Sequence, residues 1–201
     1  RYIVPKVKKE STLGFSGGAP QLQLTANFPV QSLFWFFRNK KYESTFDTNG
    51  QPSGLYYDSR YNYGYTTDYI QTGVSLSFPS SNSIVTNYVD VIDTAKITLN
   101  NVDILSTFQG SLYYSFKQPM EHGLSVPSKN IYTYSFGLTP TEYNQGGFLD
   151  FSKLNSQTST LTLLFNSAYA TQVIQGYNLY LFYYGYTVLD FRNGFASLPF
   201  S

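Results

Sequence analysis

The chain has 201 residues, with 13 basic and 12 acidic side chains, a formal net charge of +1 and no cysteine. That length fits a single domain with a core of its own. The missing thiols exclude a disulfide framework or thiolate metal site, and the balanced charge offers no basic face of the kind nucleic acid requires. Aromatic residues make up 19% of the chain and charged residues only 12%, a bias that favours an all-β architecture over a charged helical one. No apolar run approaches the roughly 20 residues that span a bilayer, and no signal peptide or glycosylation sequon is present.

The chain opens inside a strand, at Arg1-Tyr2-Ile3-Val4, and Lys6, Lys8 and Lys9 fit a solvated strand edge. Leu22, Leu24, Ala26 and Phe28 then alternate with polar residues, the period-2 pattern of a half-buried strand. Leu33-Phe34-Trp35-Phe36-Phe37 is apolar on both faces and predicts a central strand packed between two layers. Residues 39–83 are rich in turn formers and carry Tyr56, Tyr57, Tyr61, Tyr63, Tyr65 and Tyr69, which predicts a long loop. Tyrosine joins apolar area to a hydroxyl, so a protein-contacting loop is the leading reading of that segment. Stacking on sugars or bases and a self-packed surface loop are its rivals.

Further on, a short strand is expected over Ile84–Ile92. Ala95–Leu99 and Val102–Leu105 flank Asn100-Asn101, a two-residue hairpin turn because Asn tolerates positive φ. Leu112–Phe116 reads as another strand and Pro119–Asn130 as a connection. Strands follow over Ile131–Leu138, Thr158–Phe165, Gly176–Tyr186 and Thr187–Phe191, with a last hairpin on Asn193-Gly194. Helix is confined to one turn within Ser167–Gln175. About eight to ten short strands separated by turns read as a β-sandwich or barrel.

Reactive chemistry has little to build on. His122 is the sole histidine and reads as a surface-loop residue, which removes multi-histidine metal sites and leaves a Ser-His-Asp triad without a nucleophile elbow. Gly14, Gly17 and Gly18 lack the Lys-Ser/Thr of a phosphate loop. A glycosidase-type pair could be drawn from Asp47, Asp58, Asp68, Asp90, Asp93, Asp103, Glu121, Glu142, Asp150 and Asp190, most of them in predicted turns. No cofactor is expected, and an enzyme is not.

Four segments carry a resemblance. Pro29-Val-Gln-Ser-Leu-Phe-Trp-Phe36, Ala95-Lys-Ile-Thr-Leu-Asn-Asn-Val-Asp-Ile104, Ile131-Tyr-Thr-Tyr-Ser-Phe-Gly-Leu-Thr-Pro140 and Tyr186–Phe200 occur in the order seen in one family. Together they resemble the second jelly roll of the double-jelly-roll major capsid proteins of nucleocytoplasmic large DNA viruses. The chain departs from the family at Gln145-Gly146-Gly147, where a Gln-Pro-Ser-Gly turn is usual, and at Asn101, where Gly is usual. The resemblance implies an eight-stranded jelly-roll β-sandwich with long inter-strand loops, one domain over residues 1–201, forming the C-terminal half of a tandem. It implies homotrimers that form pseudo-hexagonal capsomers tiling an icosahedral virion shell, with neighbouring capsomers and minor capsid proteins as partners. It also implies assembly in the host cytoplasm, no specific nucleic acid and no membrane span, with room for a membrane beneath the shell. On this reading the six tyrosines belong to a tower or intersubunit loop. A carbohydrate-binding jelly roll using the same tyrosines is the alternative.

Overall fold

The computed structural model describes residues 2–12, 17, 19–39, 91–127, 131–140, 146–168, 170–192 and 194–198. Ten strands occur among them: β1 (Tyr2–Thr12), β2 (Gln21–Gln23), β3 (Pro29–Asn39), β4 (Ile92–Leu99), β5 (Val102–Gln109), β6 (Tyr132–Ser135), β7 (Leu149–Asp150), β8 (Thr160–Phe165), β9 (Tyr177–Arg192) and β10 (Phe195–Ser197). A π-helical segment (Gly110–Lys117) runs into the short helix α1 (Gln118–Glu121); a 3-10 turn (Phe151–Lys153) and helix α2 (Ala170–Gly176) complete the set.

Every ladder is antiparallel, and the pairs β1–β9, β2–β8, β3–β6 and β4–β5 describe one long folded ribbon. Its outgoing arm is β1 to β4, and its returning arm is β5, β6, β8 and β9. The arms meet at Asn100-Asn101, whose φ values of 49° and 65° make the left-handed turn that a tight hairpin needs. Wrapping the ribbon gives two sheets of order β1-β9-β3-β6 and β2-β8-β4-β5, the jelly-roll arrangement. The short strands β7 and β10 extend the first sheet beside β3 and β9.

The core lies between the sheets and follows the period of two. Leu33, Trp35 and Phe37 of β3 face Ala95, Ile97, Leu161 and Leu163 of the other sheet, all fully buried. Leu22, Leu24, Ala26 and Phe28 are buried as their alternation predicts, although only Gln21–Gln23 form a regular ladder. Trp35 stacks on Tyr132 at 5.9 Å and meets Tyr114 edge-on at 5.2 Å, while Phe37 bridges to Phe165 of the second sheet at 5.5 Å. Each large side chain so buried stabilises by about 1.5–3 kcal/mol relative to exposure.

One glycine is fixed by close approach. A Cβ on Gly185 would lie 1.9 Å from the carbonyl oxygen of Pro29. This is the site where β3 carries an irregularity between Val30 and Ser32 opposite β9. The Gly146-Gly147 break has a similar cause: Leu138 N–H donates to the Gly146 carbonyl at 2.7 Å, and a Cβ on Gly137 would meet the Gly147 oxygen at 2.5 Å. Gly146 and Gly147 thus lie against the backbone of Gly137 and Leu138.

Several expectations need correction. Leu112–Phe116 is π-helical rather than a strand, and the expected connection after it begins with helix α1. The helical period wins because Tyr114, Ser115 and Gln118 turn to one side to satisfy backbone groups, while Pro119 opens α1 with a preset φ. Helix α2 spans seven residues, longer than the single turn expected. The two strands expected over Gly176–Tyr186 and Thr187–Phe191 are one strand, β9, because its ladder with β1 runs in unbroken register through Tyr186 and Thr187. β3 is central in its sheet, yet only one of its faces is sealed. Phe34 and Phe36 are half-buried, and Phe36 stacks on Tyr180 at 5.5 Å and Phe182 at 5.8 Å, so these outer rings shelter one another. The strand expected over Ile84–Ile92 lies outside the described residues except for its end, where β4 starts at Ile92.

Candidate assembly surface

Register sorts the connections to the two ends of the sandwich. In the first sheet Asn39 pairs with Tyr177, and Thr12 pairs with Leu179, so β1 and β3 leave at the end where β9 enters. β6 enters nearby, with Tyr132 opposite Trp35. In the second sheet Ile92 pairs with Phe165, and the Phe37–Phe165 contact ties that end to the first. The strand ends that flank four connections therefore lie at one end: Thr12 and Gln21, Asn39 and Ile92, Gln109 and Tyr132, and Phe165 and Tyr177. The other end holds the tight Asn100-Asn101 turn, residues 136–140 and 146–159, and the paired strands β9 and β10. Of the loop predicted over residues 39–83, only Asn39 is described, at the first end. Tyr56, Tyr57, Tyr61, Tyr63, Tyr65 and Tyr69 themselves lie outside the described residues.

The described helical connection at this end has two distinct faces. Its inner face is fastened to the sandwich: Tyr114 Oη donates to Ala95 O at 2.9 Å, Ser115 Oγ to Ile131 O at 2.7 Å, and Gln118 Oε1 accepts from Ser135 N–H at 3.1 Å. Burial pushes the Tyr114 hydroxyl well above the ordinary tyrosine range, so it remains a donor at any physiological pH. Its outer face presents Leu112, Phe116 and Met120, which are 61%, 50% and 58% exposed. Spacing of four residues puts them in one row on a helix. Lys117 and Glu121 lie 3.6 Å apart beside that row, and Phe108 stacks on Tyr113 at 4.4 Å along its base. Sequence reading missed this surface because Leu112–Phe116 was assigned to a strand and Met120 to the connection after it; the Leu112, Phe116, Met120 spacing and Pro119 were the available signals.

At the margin of the first sheet, the edge-lysine reading holds for β1, which among the described residues pairs only with β9. Its lysines also do more than face water. Lys6 lies over Phe28 at 4.7 Å and Lys9 over Tyr180 at 4.5 Å. Lys8 Nζ donates to Thr25 O at 2.7 Å, Tyr183 Oη donates to Glu10 at 2.8 Å and accepts from Thr25 N–H at 3.1 Å, and the Thr25 hydroxyl donates to Glu10. Burial first, and the Glu10 charge second, raise the Tyr183 hydroxyl far above its ordinary value. This polar seam closes the gap between the two sheets with every partner satisfied.

Among the described residues the reactive-site candidates form no cluster of metal-ligating groups. His122 Nδ1 sits 3.2 Å from Leu138 O. Asp103 bonds Thr98 Oγ1 at 2.7 Å and Lys96 at 3.1 Å, and the Thr98 hydroxyl, then Lys96, hold its carboxyl below the usual range. Asp150 accepts from Ser152 Oγ at 2.6 Å and Ser152 N–H at 3.1 Å, capping the 3-10 turn. Both carboxylates hold local structure. Asp47, Asp58, Asp68, Asp90 and Glu142 lie outside the described residues.

A family model described as large eukaryotic DNA virus major capsid protein matches residues 5–197. The chain belongs to that family. It is 32% identical over 110 residues to the major capsid protein of Phaeocystis pouchetii virus, a match covering 53% of the chain and 20% of that protein. It is 38% identical over 72 residues to the major capsid protein of Paramecium bursaria Chlorella virus 1, covering 36% of the chain and 16% of that protein. Among solved structures, the capsid of the latter virus superposes with a TM-score of 0.63 at 21% identity, over 99% of this chain and 50% of that one. The Faustovirus major capsid protein does so with a TM-score of 0.58 at 12% identity, over 92% of this chain and 32% of that one. The chain thus matches about a fifth of the length of the first curated relative and half of the first solved chain. Family and fold agree with the expected capsid jelly roll, and with capsid relatives throughout, the carbohydrate-binding alternative has no support.

Proposed function

We propose that this chain is a wall-building domain of a virion shell, the C-terminal jelly roll of a tandem whose copies join as homotrimers. Three such tandems supply six jelly rolls, the number a pseudo-hexagonal capsomer requires. The family match over residues 5–197 carries this reading; the half of the solved capsid chain that lies beyond the match is room for a first jelly roll. The sandwich provides stiffness, and the connections gathered at one end, including the segment with Tyr56, Tyr57, Tyr61, Tyr63, Tyr65 and Tyr69, provide the tower and intersubunit contacts. The role is architectural, with neighbouring capsomers and minor capsid proteins as partners, and assembly takes place in the host cytoplasm. Light scattering on the purified full-length protein tests it: a single species of three times the chain mass is expected, and a stable monomer at micromolar concentration would contradict it.

A further inference from the structure

We propose that the outer face of β1, β9 and β3 is covered, in the full-length protein, by the other jelly roll of the same tandem, an inference that rests on the tandem reading above. An antiparallel sheet that packs a core on one side commonly presents a polar face to water on the other. The second sheet obeys this: Gln21, Gln23, Lys96, Thr98, Thr160 and Thr162 take its outer positions, beside Leu164. The first sheet does not. Phe34, Phe36, Phe182, Tyr184 and Tyr186 stand half-buried on its outer side, and Val7, opposite Tyr184, is 61% exposed. Phe36 stacks on Phe182, and Phe148 meets Tyr186 edge-on at 5.3 Å, so the rings form one apolar surface along β9.

Size and position choose the occupant. Three strands at roughly 4.8 Å spacing, followed from Tyr180 to Val188 at roughly 3.4 Å per residue, make a face of about 14 by 27 Å, or about 380 Å² on each partner. Twice that area falls within the roughly 600–1,500 Å² of contacts between domains of one chain. It falls below the roughly 1,200–2,000 Å² of stable complexes between free proteins. A covalent tether makes up the difference through effective concentration. The solved capsid chain has as much length again beyond the match, enough for one more domain of this size. On the tandem reading that domain precedes β1, and β1 is the margin of this face. Cover from within one chain also hides the rings before capsomers form, when exposed apolar surface invites aggregation.

Photocrosslinking in the full-length protein tests this. With p-benzoylphenylalanine in place of Tyr184, or of Val7 if the first variant does not fold, irradiation is expected to leave a chain of unchanged mass whose crosslinked peptide lies in the other jelly roll. The same group in place of Thr162, on the polar face of the second sheet, is expected to give no such peptide. A crosslink from position 184 or 7 to another copy, or to residues 40–90 of its own chain, would overturn the proposal. So would no crosslink from either position, or one to the other jelly roll from position 162 alone. A full-length protein that holds a second jelly roll confines such a failure to this face, whereas one that holds none removes the tandem reading and this contact together.

Discussion

Gly185 shows how a strand can require one residue type through close packing alone. A methyl group there would enter the space of the Pro29 carbonyl, 1.9 Å away, and backbone on both sides leaves no flexible side chain to yield. Gly185→Ala is expected to cost about 3 kcal/mol, the upper end of overpacking penalties, read as a fall in the urea midpoint with an unchanged slope. In sequence the need for this glycine is not visible, because a packing glycine and a turn glycine are the same letter. Asp150 is a second residue with a measurable role. The Ser152 hydroxyl first, then the Ser152 N–H and Lys153, hold its carboxyl below the ordinary value against the opposing effect of burial. A depressed folded-state pKa stabilises fully above the unfolded value of about 3.9 and is lost as pH falls through the folded value. Asp150→Ala should therefore cost about 1 kcal/mol at neutral pH, as loss of a cap does. That difference should be constant above about pH 5 and shrink below about pH 4, as followed by urea unfolding across the range.

Among elements, the β4–β5 hairpin was fully legible and the helical connection was not. Asn100-Asn101 announces itself because few residues accept two consecutive positive φ values, here 49° and 65°. The two asparagines differ, however: Asn100 Oδ1 accepts from Asn155 N–H at 2.9 Å, and Asn101 makes its long-range bond through its backbone, to Thr158 O at 2.9 Å. Asn101→Gly is expected to raise stability by up to about 1 kcal/mol by relieving the left-handed conformation. Asn100→Gly should lower it by a similar amount through the lost hydrogen bond. Thermal unfolding of the two variants side by side reads the opposite signs. The Gly110–Glu121 connection escaped sequence reading because its aromatics look strand-like, and its apolar row faces outward instead of into a core. β7, at two residues, is set by its partner β3 rather than by its own pattern. Alternation in β4 and β8, where Ala95, Ile97, Leu161 and Leu163 are all buried, shows why the sandwich itself could be foreseen.

At the scale of the whole molecule, the ribbon that closes at Asn100-Asn101 sorts the connections to two ends. Helices α1 and α2 lie at one end and the Asn100-Asn101 turn, β7 and the 3-10 turn at the other, with exposed apolar side chains at both, Leu112, Phe116 and Met120 at the first and Leu138, Phe148 and Phe195 at the second. The core needs only the period of two, and the connections at the ends can vary without disturbing it. Order and turn chemistry in Pro29–Phe36, Ala95–Ile104, Ile131–Pro140 and Tyr186–Phe200 pointed to the capsid family, which the match over residues 5–197 bears out. The most direct measurement is cryo-electron microscopy of shells assembled from the full-length protein. The account predicts trimeric capsomers of hexagonal outline, six jelly rolls each, with the β1-β9-β3-β6 and β2-β8-β4-β5 sheets standing upright in three of them. Capsomers that lack this sandwich, or protein that forms no threefold particle, would contradict it.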